Sequence, residues 1–321
     1  MTNVFTDSAQ NKPMIVLTGP TAVGKTKLSI ALAKAVNGEI LSADSMQVYK
    51  HMDIGSAKIR QSEMQGVPHH LIDVLEPWEE FNVVVFKQKC EECLKGIYER
   101  GHIPILTGGT GFYIQAVLRD IDFTENEECT PYRAELEKLA ATEGPEVIHK
   151  RLALVDPASA EAIHPNNVKR CIRALEYHML TGERISDHNE QEKQKTSPYR
   201  YCYFVLNDQR DRIYARIEQR IDEMLEQGLI EEVQALKNMG CHKGMVSMQG
   251  LGYKEILSYL EGECTLEEAV YLLKRDTRHF AKRQLTWFRR EGDVIWVDKD
   301  KFDYDEEAIL TFMLEKLPFA Y

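Results

Sequence analysis

Met14-Ile15-Val16-Leu17-Thr18-Gly19-Pro20-Thr21-Ala22-Val23-Gly24-Lys25-Thr26 is the stretch that decides the fold. Met14–Thr18 is a short apolar run ending at a Gly-Pro turn, which reads as a strand buried on both faces of a parallel sheet. Gly19 to Thr26 matches G-x-x-x-x-G-K-[ST] completely. From Lys25 the apolar residues Leu28, Ala31, Leu32 and Ala35 then recur at helical spacing. Strand, glycine-rich loop and helix in that order form the setting a phosphate loop needs. Glycines let backbone N–H groups curl around anionic oxygens, and the helix start adds its positive dipole end. Gly19, Pro20, Thr21, Ala22, Val23, Gly24, Lys25 and Thr26 are therefore expected to hold a phosphate-rich ligand. Lys25 places its charge on the outer phosphates, and Thr26 offers a hydroxyl to Mg²⁺. The loop alone does not say which bond of that ligand breaks.

Working outward, Glu39–Ser42 predicts a second strand, His70–Val74 a third and Ile103–Thr107 a fourth, with a helix over Asn82–Arg100. This alternation predicts a doubly wound α/β sheet. Beyond about Leu118 the character changes. From Pro131 to Leu180 only helical periods appear, and Pro145, Pro157 and Pro165 each sit where a first helical turn would begin. Residues 182–200 are polar and aperiodic, which predicts a mobile loop. Tyr201–Leu206 restores a strand, and Val294–Val297 adds another. The expected organisation is a P-loop α/β core over 12–118 and 200–321, interrupted by a helical insertion over 119–199.

At 321 residues, with 43% hydrophobic and 28% charged residues, the chain has the composition of a globular protein. No run approaches the roughly 20 apolar residues of a membrane span. The polar start, Met1 to Lys12, lacks the features of a signal peptide and is expected to fray, so a cytoplasmic location is expected. Seven scattered cysteines argue against a disulfide framework, and the lone pair Cys90 and Cys93 supplies too few ligands for zinc. A net charge of −11 weighs mildly against a nucleic-acid partner, yet Arg278, Lys282, Arg283, Arg289 and Arg290 lie together without an acid among them. Local potential decides where a phosphate backbone docks.

Three further segments carry candidate chemistry. Asp44 follows the second strand, and strand carboxyl ends face the ligand crevice of an open parallel sheet. It can accept a proton from a nucleophile or hold a metal-bound water, or it can cap a following helix; both readings stand. Gly108-Gly109-Thr110-Gly111 leaves the fourth strand at the same edge, so Thr110 is placed to donate its hydroxyl to a phosphate, or simply to sit in a tight turn. Arg212, Arg216 and Arg220 form a basic stripe beside Ile213, Ile217 and Ile221, with Glu218, Asp222 and Glu226 positioned to pair with it along one helix. The C-terminal segment Arg278–Arg290 interleaves basic and aromatic residues, which suits either RNA contact or an amphipathic helix with Phe280, Leu285 and Trp287 in the core.

Taken in order, G-P-T-A-V-G-K-T, S-A-D-S-M-Q-V-Y, T-G-G-T-G-F-Y, R-I-E-Q-R-I-D-E-M-L-E-Q-G, Q-G-L-G-Y-K-E and K-R-Q-L-T-W-F-R closely resemble bacterial tRNA dimethylallyltransferases, from about residue 13 to residue 297. The resemblance implies transfer of a dimethylallyl group from dimethylallyl diphosphate to the exocyclic amine of the adenine 3′ of the anticodon. It implies Mg²⁺ as cofactor, the tRNA anticodon stem-loop as partner and a monomer as the working unit. Asp44 would be the base or hydrogen-bond acceptor for the amine, Thr110 a diphosphate contact, and Arg220 a neutraliser of the departing charge. tRNA contacts are implied at Asp44, Ser45, Met46, Gln47, Thr110, Arg133, Lys169, Arg170, Cys171, Ile172, Arg173, Gly252, Tyr253, Lys254, Lys282, Arg283, Gln284, Trp287 and Arg289. A flipped adenine is expected to enter a channel between core and insertion. Lys169 stands where many relatives have glutamine, and the zinc extension of eukaryotic relatives is not seen. The rival readings are a P-loop kinase of a nucleoside or small metabolite, an ATP-driven RNA-binding switch and an adenylate prenyltransferase.

Overall fold

The computed structural model describes residues 12–123 and 130–321, so the start expected to fray lies, up to residue 11, outside the described residues. In chain order the elements are β1 (Lys12–Thr18), α1 (Lys25–Val36), β2 (Gly38–Ala43), β3 (His69–His70), α2 (Val83–Glu99), β4 (Ile103–Gly108), α3 (Gly111–Leu118), α4 (Pro131–Glu143), α5 (Pro145–Val155), α6 (Pro157–Ala162), α7 (Val168–Thr181), α8 (Ile185–Gln194), β5 (Tyr199–Asn207), α9 (Arg210–Glu226), α10 (Leu229–Asn238), α11 (Tyr253–Leu260), α12 (Leu266–Phe288), β6 (Ile295–Asp298) and α13 (Glu306–Glu315). Two compact units emerge. One joins the described residues up to Leu118 with Ser197–Tyr321, and the other is Arg119–Thr196.

The larger unit carries the sheet. Six strands pair in the order β3-β2-β4-β1-β5-β6, and every pairing is parallel. β1 runs down the middle, with Ile15 beside Ile105 on one flank and Cys202 on the other. Because side chains alternate across a strand, β1 feeds two cores. Met14 and Val16 join Leu41, Leu106, Tyr203, Val205 and residues of α2, α3 and α9–α12 on one face. Ile15 and Leu17 join Ile105, Phe204, Leu206 and residues of α1 and α13 on the other. Covering both faces is what an all-parallel sheet requires, and it explains why these strands read as continuous apolar runs.

The smaller unit is helical, built on Leu136, Ile148, Leu152, Cys171, Ile172 and Leu175. Pro145 and Pro157 start α5 and α6, as their spacing predicts. Pro165 does not start a helix; it lies in the turn that leads to α7. Residues 182–200 also differ from the expected loop, because Ile185–Gln194 is α8. Its anchors are polar, which is why apolar periodicity misses it. Asp156, 1% exposed, accepts from Ser186 through both its backbone N and its hydroxyl, and Glu192 accepts from the backbone of Asp122.

The third strand is shorter than predicted. Leu71 and Asp73 take positive φ angles of 63° and 55°, a left-handed geometry that ends extended pairing after two residues. Cys90 is buried and Cys93 half-buried on α2, both as free thiols. Among the described residues no group of three His, Cys, Asp or Glu side chains could hold a metal, and no helix is long and apolar enough to cross a membrane.

A cationic candidate active site at the sheet's carboxyl edge

The turn from β1 into α1 places Gly19–Gly24 at the carboxyl edge of the central strand. Gly24 caps α1 at φ 98°, in the left-handed region, so a side chain there would strain the loop at the point where it turns into the helix. Lys25 opens α1 and bends back, its Nζ donating to the carbonyls of Gly19 and Pro20 at 2.9 Å each. Thr26 follows, exposed on the first turn.

β2 ends at Ala43, which brings Asp44 to the same edge. Asp44 does not cap a helix. Its Oδ1 accepts from the backbone N–H of Met46 at 2.8 Å and of Gln47 at 3.4 Å, so it closes a tight turn, leaving Oδ2 free of those bonds. Tyr113, close enough to feel the Asp44 charge, is buried at 8% exposure. Burial first, and the Asp44 charge second, push the Tyr113 phenol up to about 12, so it stays a neutral donor.

The basic stripe of α9 does not pair along its own helix. Glu218 binds Arg278 and Asp222 binds Lys274, both on α12. Arg216 binds buried Asp208 at 2.8 Å, and Arg212 lies over the Tyr304 ring. Arg220 is left over. It is half-buried, and among the described residues it makes no hydrogen bond or ion pair. Burial lowers its pKa. Burial and, next, the Arg220 charge lower Lys25 to about 8, with Asp44 pulling the other way. Two cations thus lie beside the phosphate loop, Lys25 feeling the charge of Asp44 and Arg220 that of Glu223, one turn along α9. Burial disfavours both charges, and Arg220 disfavours that of Lys25, so an anion placed between them relieves both.

Two residues at this edge escaped sequence reading. Lys299, directly after β6, reaches the loop from the far side, its Nζ 3.4 Å from the Val23 carbonyl. The strand-end rule that selects Asp44 selects Lys299 as well, had it been applied to the last strand. Tyr113 closes the T-G-G-T-G-F-Y motif, but nothing in its spacing gave it a role beside Asp44.

The residues implied as tRNA contacts divide by burial. Lys169 and Arg170 are exposed on α7, and Arg173 is half-buried. Cys171 and Ile172, at 0% and 2% exposure, belong to the core of the smaller unit instead. Arg133 is paired with the buried Glu176, which also accepts from Thr130. Tyr253 is fully buried, and its hydroxyl joins Glu232 to the backbone N–H of Ser56. It is a structural strut, correcting its place among side chains offered to RNA. Gly252 precedes it at φ 94°, and Lys254 lies between Glu255 and Asp276. Ser45 and Met46 are half-buried in the Asp44 turn, while Gln47 accepts from Ser42 and donates to the Ser56 and Ala57 carbonyls.

The basic-aromatic segment is an amphipathic helix, α12, but its core side is not the expected Phe280, Leu285 and Trp287. Ala281, Gln284 and Phe288 face the core, with Phe280, Leu285 and Trp287 half-buried. Lys282, Arg283 and Arg289 are exposed. His279, Lys282, Arg283, Thr286, Trp287 and Arg290 line an open groove of about 460 Å³.

Comparison with known proteins places this geometry. The family model described as IPP transferase matches residues 47–291, and one described as isopentenyl transferase matches residues 13–75. The chain is 64% identical to a tRNA dimethylallyltransferase of Lachnoclostridium phytofermentans, covering 95% of this chain and 97% of that one. The full-length tRNA isopentenylpyrophosphate transferase of Bacillus halodurans superposes with a TM-score of 0.71 at 46% identity, over 95% and 96% of the two chains. A eukaryotic dimethylallyltransferase solved acting on tRNA gives 0.82 at 31% identity, over 97% and 81%.

Proposed function

Because the chain belongs to the IPP transferase family and is a prenyltransferase acting on tRNA, we propose that it moves a dimethylallyl group from dimethylallyl diphosphate to the exocyclic amine of the adenine 3′ of the anticodon. The observation that carries the chemistry is the half-buried Arg220 beside Lys25, held by no ion pair or hydrogen bond among the described residues. Preorganised cations at a departing anion are commonly the largest electrostatic contribution to catalysis.

The backbone N–H groups of the Gly19–Gly24 loop, other than Pro20, which has none, and Thr21, which donates to Gln284, hold the diphosphate with Lys25 and Thr26. The carbon–oxygen bond breaks, its electron pair leaves with the diphosphate, and Arg220 and Lys25 balance the new charge. The amine nitrogen forms the new bond to the dimethylallyl carbon. Its proton goes to Asp44, whose Oδ2 is not held by the turn. Thr110, at the head of α3, offers a hydroxyl to the diphosphate. Lys282, Arg283 and Arg289 meet the tRNA backbone on the larger unit, and Lys169 and Arg170 do so on the smaller one.

The residues also fit Mg²⁺. Thr26 supplies one exposed hydroxyl and no dedicated protein cage exists among the described residues, so the remaining ligands would be diphosphate oxygens and water, the arrangement this ion favours. When bound, it adds positive charge at the leaving group.

The test offers the protein unmodified tRNA and AMP as acceptors, with dimethylallyl diphosphate or ATP as donor, and weighs the products by mass spectrometry. Isoprenoid mass on tRNA is expected. Prenylation of AMP alone, or phosphoryl transfer from ATP, would select the rival enzymes.

A further inference from the structure

Gln284 lies on the core side of α12, 5% exposed, and its side-chain amide is hydrogen-bonded at both ends. Its Oε1 accepts from the backbone N–H of Thr21 in the phosphate loop at 2.9 Å. Its Nε2 donates to the carbonyl of Gly109 at 2.9 Å. One planar amide therefore bolts together two loops that sit 88 residues apart in the chain (109 − 21).

The bolt leads further. The next residue, Thr110, donates its backbone N–H to the Ala43 carbonyl at 3.3 Å, and Ala43 precedes Asp44. A continuous path thus runs from the phosphate loop through Gln284, Gly109, Thr110 and Ala43 to Asp44. α12 is pressed onto this path without slack. A Cβ built on Gly109 would lie 2.1 Å from Gln284 Nε2, and one on Gly111 would lie 2.2 Å from the Trp287 ring. Only the absence of a side chain at Gly109 and Gly111 lets α12 lie this near, and it leaves little room for the loop to move toward the helix.

We propose that Gln284 is a positioning residue that sets the separation between the diphosphate cradle and the carboxylate of Asp44, a role that rests on the prenyl-transfer reading for the identity of the ligand. A displacement reaction needs leaving group, carbon and nucleophile in line, so the distance between the two ends of the site matters as much as either end. A misplacement of about 1 Å costs on the order of 100-fold in rate. Neutral glutamine suits the task because the bolt needs one acceptor and one donor; a carboxylate supplies only acceptors, whereas a protonated carboxyl supplies both.

Two variants test this, Gln284→Leu and Gln284→Glu. Inorganic diphosphate affinity is measured by calorimetry, tRNA affinity by filter binding, and prenyl transfer by steady-state kinetics. For Gln284→Leu, we expect diphosphate affinity and kcat/KM to fall roughly 10- to 100-fold, with tRNA affinity within about 2-fold of wild type. For Gln284→Glu, activity relative to wild type should recover as pH falls from 8 to 6, because protonation restores the donor. Unchanged diphosphate affinity in a folded Gln284→Leu protein overturns the assignment. So does loss of tRNA affinity in step with activity, which would make Gln284 an RNA contact. Should Gln284→Leu fail to fold, the pH response of Gln284→Glu decides, and a flat response overturns the proposal. Weakened diphosphate binding in a protein whose wild type fails to prenylate tRNA would leave the bolt standing and remove only the reading of the reaction.

Discussion

Replacing Arg220 with methionine separates electrostatic catalysis from folding, because the two should move differently. Methionine keeps the aliphatic bulk on α9 and removes the guanidinium. Arg220 makes no ion pair or hydrogen bond among the described residues, so none is broken. Its burial disfavours the charge, and its charge depresses Lys25. Stability should therefore stay within about 1 kcal/mol of wild type, or rise. For a chain of this size that is a shift in Tm of about 2–4 °C at most. Transfer should fall about 10²- to 10³-fold, equal to roughly 2.7–4 kcal/mol of lost transition-state stabilisation. A third effect accompanies these: with Arg220 gone, the alkaline limb of kcat/KM set by Lys25 should move to higher pH. The assay is prenyl transfer from labelled dimethylallyl diphosphate to an anticodon stem-loop, run from pH 6 to 10 beside thermal unfolding. Undiminished kcat/KM would refute the role of Arg220. A loss of activity matched by a Tm drop of 10 °C or more would show that it supports the fold instead.

Lys25, at about 8 in the free protein, should lose its proton as pH rises through that value. kcat/KM for the diphosphate should then decline above pH 8 while kcat declines less, since a bound anion holds the proton on; parallel declines would contradict this. Asp44→Asn keeps an acceptor for the Met46 N–H but removes the base. Turnover should fall about 10²- to 10⁴-fold with tRNA affinity nearly intact, and a large loss of affinity would mark Asp44 as a binding residue. Far from the site, Glu39 is 1% exposed, and its carboxylate accepts from Arg100, His70 and His102. Chiefly through the Arg100 hydrogen bonds its pKa is lowered from 4.5 to about 2. A depressed carboxyl stabilises the fold above the unfolded value and loses that contribution as pH falls from about 4.5 to about 2. Glu39→Gln should flatten acid unfolding in this window by on the order of 3 kcal/mol, as read by urea denaturation at pH 2 to 6; an unaltered pH profile would rule the network out.

Sequence alone determined the parts whose signal is local. A buried parallel strand must be continuously apolar, and a phosphate loop must pair small residues with a lysine at a set spacing, so β1, the loop and α1 were legible residue by residue. Strand-end logic brought Asp44 and Thr110 to the same edge for the same reason. What periodicity could not show was pairing over distance. α8 is held by the buried carboxylates Asp156 and Glu192 and not by an apolar stripe, so its sequence resembles a loop. Glu218 and Asp222 of α9 turned to α12, which left Arg220 with only the nearby charge of Glu223. Gln284 and Tyr253 look like surface polar residues in a motif, yet their burial and hydrogen bonds arise from loops brought to them across most of the chain. Local chemistry is written in neighbouring residues, whereas charge balance and spacing between loops exist only once tertiary packing has decided which groups face each other.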